Sequence, residues 1–401
     1  MQSFLDDLIH FVQNIGKKDN YSNLVIVLPS QRAGVFLKKK LAEFYKDKTL
    51  LLPEIVSIES FIQQLSGIQK IENTALLMLF YEAYLSVAPD EEKKSFENFL
   101  TWGQSLLQDF NEIDRYLVNQ ERFFKYLYYI NDQKHWFLQE QKTNLIENYI
   151  QFWEQMHQYY NALVSKMNTL GKGHQGHQYR KAAENVFEFT ETTKSNYVFA
   201  GFNALNNAEQ TIIKTLIKAE KGQVFWDADA SFLNDKDHDA SLFLKRFQKE
   251  WKQPNGFNYS VHSYFEKPKT IEICGVPKNI GQAKYITKII AALSNEEMAK
   301  TALVLADESL LLPVLNSLPE NVSNVNITMG LSLSNYPIAI FFTQFFKLKE
   351  RVIENGFYCK DAIAFLKNSY TKKLLGTKFC EYIVNLIICL LYTSPSPRDR
   401  G

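Results

Sequence analysis

An α/β fold, in which a parallel sheet carries a long helical insertion, is what the 401-residue sequence predicts from three observations. The run Leu24-Val-Ile-Val-Leu28 is apolar at every position, and a short polar turn and an amphipathic helical pattern follow it. Continuous rather than alternating apolarity suits a parallel strand covered on both faces. Strand signals at 197–200 and 222–226 bracket a helical pattern at 208–219, giving a βαβ unit whose crossover is expected to be right-handed. Between these two regions, residues 60–188 are helical in pattern, with no strand signal to interrupt them.

Element by element, residues 4–15 read as an amphipathic helix closed by Gly16 and a polar loop. In the helix after the first strand, Ala33, Phe36, Leu37, Leu41 and Phe44 fall on one face, and Lys38, Lys39 and Lys40 point largely away. A strand at 55–58 leads into Ser57-Ile-Glu-Ser-Phe61, with Ser57 as N-cap and Ser60 in the first turn. The helical stretch, rich in Phe, Tyr, Trp and Leu, is densest at 76–81, 96–117, 123–130 and 145–167. After the βαβ unit come a polar loop at 234–239, a helix at 241–251 and a loop at 253–258. Strands at 270–274, 302–306 and 325–328, separated by helices at 279–293 and 308–318, predict a second α/β unit. Helical patterns at 338–352 and 360–368 close the readable sequence. The domain reading is therefore 1–59 and 191–266 as one sheet domain, 60–190 as its helical insertion, 267–388 as a second unit and 389–401 as a tail.

Composition narrows the function. Hydrophobic residues make up 46% and aromatics 14%, enough for sizeable cores, while the net charge of +1 supplies no global basic field. Any nucleic-acid contact must come from local patches. Cys274, Cys359, Cys380 and Cys389 show no paired spacing, which fits a reducing cytoplasm and offers no zinc or iron–sulfur site. Early acids at Asp6 and Asp7 exclude a secretory signal, and the six apolar residues 386–391 are too few to span a membrane. Cys389-Leu-Leu-Tyr-Thr-Ser-Pro-Ser-Pro-Arg-Asp399 resembles a translated sequencing adapter, with a disordered Ser/Pro/Arg tail as the alternative, and is set aside from fold reasoning. The phosphate-binding pattern G-x-x-x-x-G-K-[ST] occurs nowhere.

Residues 23–41, together with Leu52-Pro-Glu-Ile-Val-Ser-Ile-Glu-Ser-Phe61, resemble the amino-terminal part of AddB-like subunits of bacterial helicase–nucleases, most nearly the Bacteroidetes type. Residues 102–117, Tyr197-Val-Phe-Ala-Gly-Phe202, Gln223-Val-Phe-Trp-Asp-Ala-Asp229 and 325–333 continue the likeness in family order. The resemblance implies RecA-like, superfamily 1 helicase-like sheet domains with a large helical insertion. It also implies a role in double-strand-break repair, DNA and an AddA-like motor subunit as partners, and no cofactor in this region. Mg²⁺ or another divalent metal would serve only the family's carboxyl-terminal PD-(D/E)XK nuclease domain. No Asp…Glu-x-Lys constellation is defensible in these residues, so no catalytic residue is assigned. An ATP-driven helicase subunit and a protein-interaction scaffold without DNA binding are the alternatives.

In that family the corner after the first strand is similar to helicase motif Ia, which touches the backbone of single-stranded DNA. Ser30, Gln31 and Arg32 are accordingly the DNA-contact candidates. Arg meets phosphate bidentately, and a hydroxyl or N–H at a helix start holds another oxygen. A plain N-cap with Arg32 solvated is the other reading, as a solvated face is for the lysines. The strand ending Ala200-Gly201-Phe202 lacks the paired acids that would hold Mg²⁺ in a working motor. Asp227 and Asp229 read as turn formers, or as a metal seed with Asp235, Asp237, His238 and Asp239, although the calcium-loop glycine and glutamate are missing. Gly171-Lys-Gly-His-Gln-Gly-His177 reads as a flexible inter-helix loop. Asp109, Glu112, Asp114 and Arg115 sit on a helix whose apolar side is Leu106, Leu107, Phe110, Ile113 and Leu117, with Glu112 and Arg115 spaced to pair. The aromatic run 123–129 is either a core helix end or a base-stacking surface.

Overall fold

The computed structural model describes residues 3–15, 21–46, 51–136, 144–251, 257–353 and 356–393. Contacts divide the chain into two units, 1–269 and 270–401, close to the boundary expected near Lys267. The loops expected at 16–20 and 253–256 and the tail at 394–401 lie outside the described residues.

The first unit opens with α1 (Phe4–Ile15), β1 (Leu24–Leu28), α2 (Gln31–Phe44), β2 (Glu54–Ser57) and α3 (Ile58–Ser66). A two-residue strand β3 (Gln69–Lys70) is followed by α4 (Asn73–Val87), α5 (Phe96–Arg115), α6 (Gln120–Trp136) and α7 (Asn144–Leu170). A second two-residue strand, β4 (Lys172–Gly173), precedes α8 (Gln175–Thr192). The unit ends with β5 (Asn196–Ala200), α9 (Asn207–Lys218), β6 (Gly222–Asp229), α10 (Ala230–Asn234), α11 (Leu242–Glu250) and β7 (Phe257–His262).

Five strands form one wholly parallel sheet in the order β2-β1-β5-β6-β7. All five residues of β1 are buried because helices cover both faces. Val25, Val27, Phe199, Val224 and Trp226 pack against α3, α8, α9 and α11. Ile26, Leu28, Val198, Ala200 and Phe225 pack against α1 and α2. The chain leaves β1 toward β2 on one side and returns to β5 on the other. The strand order therefore reverses between β1 and β5, which is where open α/β sheets bind ligands at their carboxyl ends.

Helices α4–α7 build a separate core around Phe80, Phe99, Phe110, Tyr159, Leu163 and Met167. Strands β3 and β4 pair across this region where a purely helical stretch was expected. Phe257 and Asn258, expected at the end of a loop, instead begin an edge strand, β7, paired along all six of its residues.

On α2 the buried residues are Gly34, Leu37 and Leu41, while Phe36 and Phe44 remain about half exposed. Periodicity identified an apolar stripe but not which edge of it meets the sheet. Gly34 faces β2 so closely that a Cβ there would lie 3.2 Å from Ile55.

The second unit is helical: α12 (Lys278–Ala291), α13 (Asn295–Ala299), α14 (Leu311–Leu315) and α15 (Pro337–Glu350), then a short hairpin of β8 (Val352–Ile353) with β9 (Gly356–Phe357), then α16 (Cys359–Lys367), α17 (Ser369–Leu375) and α18 (Thr377–Thr393). The second parallel sheet is not formed among the described residues. Segments 270–274, 302–306 and 325–328 pair with nothing, and Ile273 and Val304 are 92% and 85% exposed. Apolar runs become strands only when neighbours supply the ladder and cover the faces, and this unit supplies neither. Among the described residues no helix is long and apolar enough to cross a membrane.

Candidate functional site

The corner after β1 is built locally. Pro29 ends the buried strand, and Ser30 adopts the extended backbone of an N-cap, its side chain accepting from the Ala33 N–H at 3.2 Å. Ser30, Gln31 and Arg32 are all exposed, at the carboxyl edge beside the reversal in strand order. The Arg32 guanidinium lies 5.8 Å from the centre of the Phe36 ring one turn on. It enters none of the ion pairs found among the described residues, whereas Lys40 on the same helix is paired with Asp6 of α1 at 2.5 Å. That pair, with the Ser3 hydroxyl, holds the Asp6 carboxyl well below the usual range. Lys38 and Lys39 are exposed. Among the described residues, the corner thus offers a guanidinium outside any ion pair at a helix start, with the exposed Lys38 and Lys39 farther along α2.

Across the reversal point, β5 ends in Gly201 with φ +73°. A Cβ at that position would lie 3.2 Å from the Phe4 ring. Phe4 and Phe11 of α1 both stack on Phe225 of β6, with centroids 5.6 and 4.6 Å apart. The end of β5 is therefore covered by the Phe4 ring.

Farther along the edge, α1 meets β6 and β7. Asp7 lies 2.8 Å from Nε2 of His262. The Ser260 hydroxyl donates to Asp7 and lies 2.8 Å from the same ring nitrogen. Serine and acid share one nitrogen, so the group lacks the two-ended imidazole that a nucleophilic triad requires; its chemistry is that of a latch for α1. Asp227, in register with Ser260, belongs to the strand rather than to a turn. Partial burial, reinforced by Asp7 and Asp229 and opposed by His262, raises its pKa. Asp229 does form the turn, accepting from the N–H groups of Phe265 (3.0 Å), Ser231 (3.0 Å) and Tyr264 (2.8 Å), which lowers its pKa. Among the described residues no group of three His, Cys, Asp or Glu could hold a metal ion.

The second polar centre lies in the helical region. Asp114 has no exposure. One oxygen accepts from Arg180 Nε at 2.7 Å and from the Tyr160 hydroxyl. Arg180 also donates through Nη2 to the Ile113 and Val118 carbonyls at 3.0 and 2.9 Å, binding off the end of α5. Burial raises the Asp114 pKa against these partners.

The stretch 171–177 was expected to be a flexible loop, and the structure corrects this. It contains β4, the N-cap of α8 and the buried histidines His174 and His177. Its tightest contact is at Gly176, where a Cβ would fall 2.1 Å from the Asn111 carbonyl oxygen. Burial lowers the pKa of each histidine to about 4.

Glu112 and Arg115 pair at 3.2 Å as their spacing predicted. Asp114, by contrast, faces the interior, and Arg180 and His174 were not anticipated as its partners. In the aromatic run, Phe124 is buried and Tyr126 and Tyr129 are exposed, so the segment is both helix core and surface.

Comparison with known proteins found no matching family model and no matching curated sequence.

Proposed function

We propose that this chain is an ATPase-inactive, helicase-shaped scaffold of the AddB type. It holds single-stranded DNA at a double-strand break through Ser30, Gln31 and Arg32, and it works in the cytoplasm with an AddA-like motor subunit. In this reading the first unit is a RecA-like lobe with a helical insertion. Cleavage, with Mg²⁺ or another divalent metal, is the task of the family's nuclease domain.

One observation carries the proposal: an exposed arginine, outside any ion pair among the described residues, stands at a helix start on the carboxyl edge beside the reversal in a parallel sheet. A phosphate there meets a guanidinium and backbone N–H groups together. The acid-free end of β5, closed by Phe4, favours the inactive reading over an ATP-driven one.

The test is a salt titration of binding to a labelled single-stranded oligonucleotide, read by anisotropy. Log affinity should fall linearly with log salt, by about 0.7 per neutralised phosphate. Arg32→Ala should reduce that slope by about the same amount. An unchanged slope removes the contact. Absence of salt-dependent binding in the parent favours the protein scaffold, and ATP-driven unwinding favours the motor.

A further inference from the structure

Helix α2 buries Gly34, Leu37 and Leu41 and turns Arg32, Val35, Phe36 and Lys39 outward along one ridge. Val35 is 65% exposed and Phe36 49%. A single apolar side chain at a surface needs no explanation, but two adjacent ones held between cations form a patch of definite chemistry. The charge along the ridge is one-sided. Arg32, Lys38 and Lys39 are exposed and enter none of the ion pairs found among the described residues, and Glu43 is the sole acid in α2. Lys40, the third lysine of the run, is held by Asp6. The run therefore divides into one lysine used inside the fold and two that face water.

The Arg32 guanidinium stands 5.8 Å from the Phe36 ring centre, near the outer limit of cation–π attraction. A phosphate that draws it outward breaks no strong contact and uncovers the ring. Arg32 and Lys39 are seven positions apart, about 10 Å along the helix axis, and the ring projects between them. Cation, aromatic face and cation in succession match a strand that alternates phosphates with unpaired bases. A duplex offers the phosphates alone, because its bases already stack on one another. An acidic peptide offers carboxylates without a succession of flat rings.

We propose that Phe36 is a stacking platform for a base of single-stranded nucleic acid, with the flanking phosphates at Arg32 and Lys39, so that the outward ridge of α2 selects single strands over duplex. The inference rests on the DNA reading of the corner after β1 and adds a contact with the bases, which that reading leaves out.

Anisotropy titrations of the full chain with a labelled oligothymidylate, an abasic strand of the same length and a duplex test it. The parent should bind the oligothymidylate about tenfold more tightly than the abasic strand, and more tightly than the duplex. Phe36→Leu keeps an apolar side chain without a ring; it should lose about tenfold on the oligothymidylate and nothing on the abasic strand. Phe36→Trp should restore the parent's affinity. Both variants alter a half-exposed side chain, so each should keep the parent's unfolding midpoint in urea and its salt slope. Lys39→Ala should reduce that slope by about 0.7, and Lys40→Ala should leave it unchanged. The inference is overturned, with the DNA reading intact, if Arg32→Ala reduces the slope while Phe36→Leu or removal of the bases changes nothing. Equal affinity for strand and duplex, or for strand and poly-glutamate (a general polyanion surface), also overturns it. Strand binding with no salt dependence removes the DNA reading and this inference together.

Discussion

The corner after β1 and the junction around Asp114 are both polar, yet they are built in opposite ways. Ser30, Gln31 and Arg32 are exposed, and among the described residues their side chains make one N-cap bond and one ring contact. At the junction, Arg180 spends three hydrogen bonds inside the protein, and Asp114 receives Arg180 and Tyr160 on a single oxygen. A group whose hydrogen bonds run to partners inside the protein organises the fold. A group whose donors face water is available to a ligand. The contrast separates a structural arginine from a candidate binding one without reference to any relative.

The largest test of this contrast is Asp114→Ala. It strips the carboxylate from a largely buried guanidinium and leaves a gap beside Tyr160. Losing one partner of a buried ion pair costs about 3–5 kcal/mol, whereas Arg32→Ala at the open corner should stay within about 0.5 kcal/mol of the parent. Urea unfolding of both variants compares them directly. A loss below about 1 kcal/mol for Asp114→Ala would place this pair in the class of surface bridges and dissolve the distinction.

Acid should act on the same difference, more gently. His174 and His177 have pKa values near 4 in the folded chain, against an ordinary value of about 6.5. Between these values the unfolded chain binds more protons than the folded one, so stability falls as pH drops. The contribution is complete above the unfolded value, shrinks as pH falls from about 6.5 to about 4, and levels off below that. Its ceiling is about 3 kcal/mol per histidine. Asp114 has the opposite sign: its raised pKa means the folded state takes a proton first on acidification, which offsets part of the loss. Urea midpoints at pH 7.5 and pH 5 should therefore differ, the lower pH being less stable. Equal midpoints would mean that the histidines gain protons without unfolding, and that the junction is open.

How much of this was legible depended on distance along the chain. The ends of β1, the Ser30 cap and the Ser57 cap, which accepts from Ser60 at 3.2 Å, are local events, and local pattern predicted them. The α1 bounds of Phe4–Ile15 followed from amphipathicity and the glycine that follows it. Asp114 and Arg180 lie 66 positions apart, and no spacing rule joins them; the one available signal was an acid next to Ile113 on an otherwise apolar side. Strand β7 escaped for a related reason, since Phe-Asn-Tyr-Ser-Val-His becomes a strand only by pairing with β6. The reverse holds at 270–274 and 302–306, where apolar runs suggest strands but the described unit offers them no partner. At 171–177 three glycines suggested looseness, whereas Gly176 is required because α8 starts against the backbone of α5.

The smallest expected effect bears most directly on function, because Ser30 has two readings. As an N-cap it stabilises α2, and Ser30→Ala should cost about 1 kcal/mol whether or not DNA binds there. Ser30→Asp keeps the cap, since aspartate caps as well as serine, but sets a negative charge where a phosphate would lie. If the corner grips DNA, the Asp variant should match the parent in urea unfolding while losing several-fold in oligonucleotide affinity at low salt, with the gap closing as salt screens the repulsion. If Ser30 is only a cap, the Asp variant should be indistinguishable from the parent in both measurements, and the open corner would then be exposed without being a site.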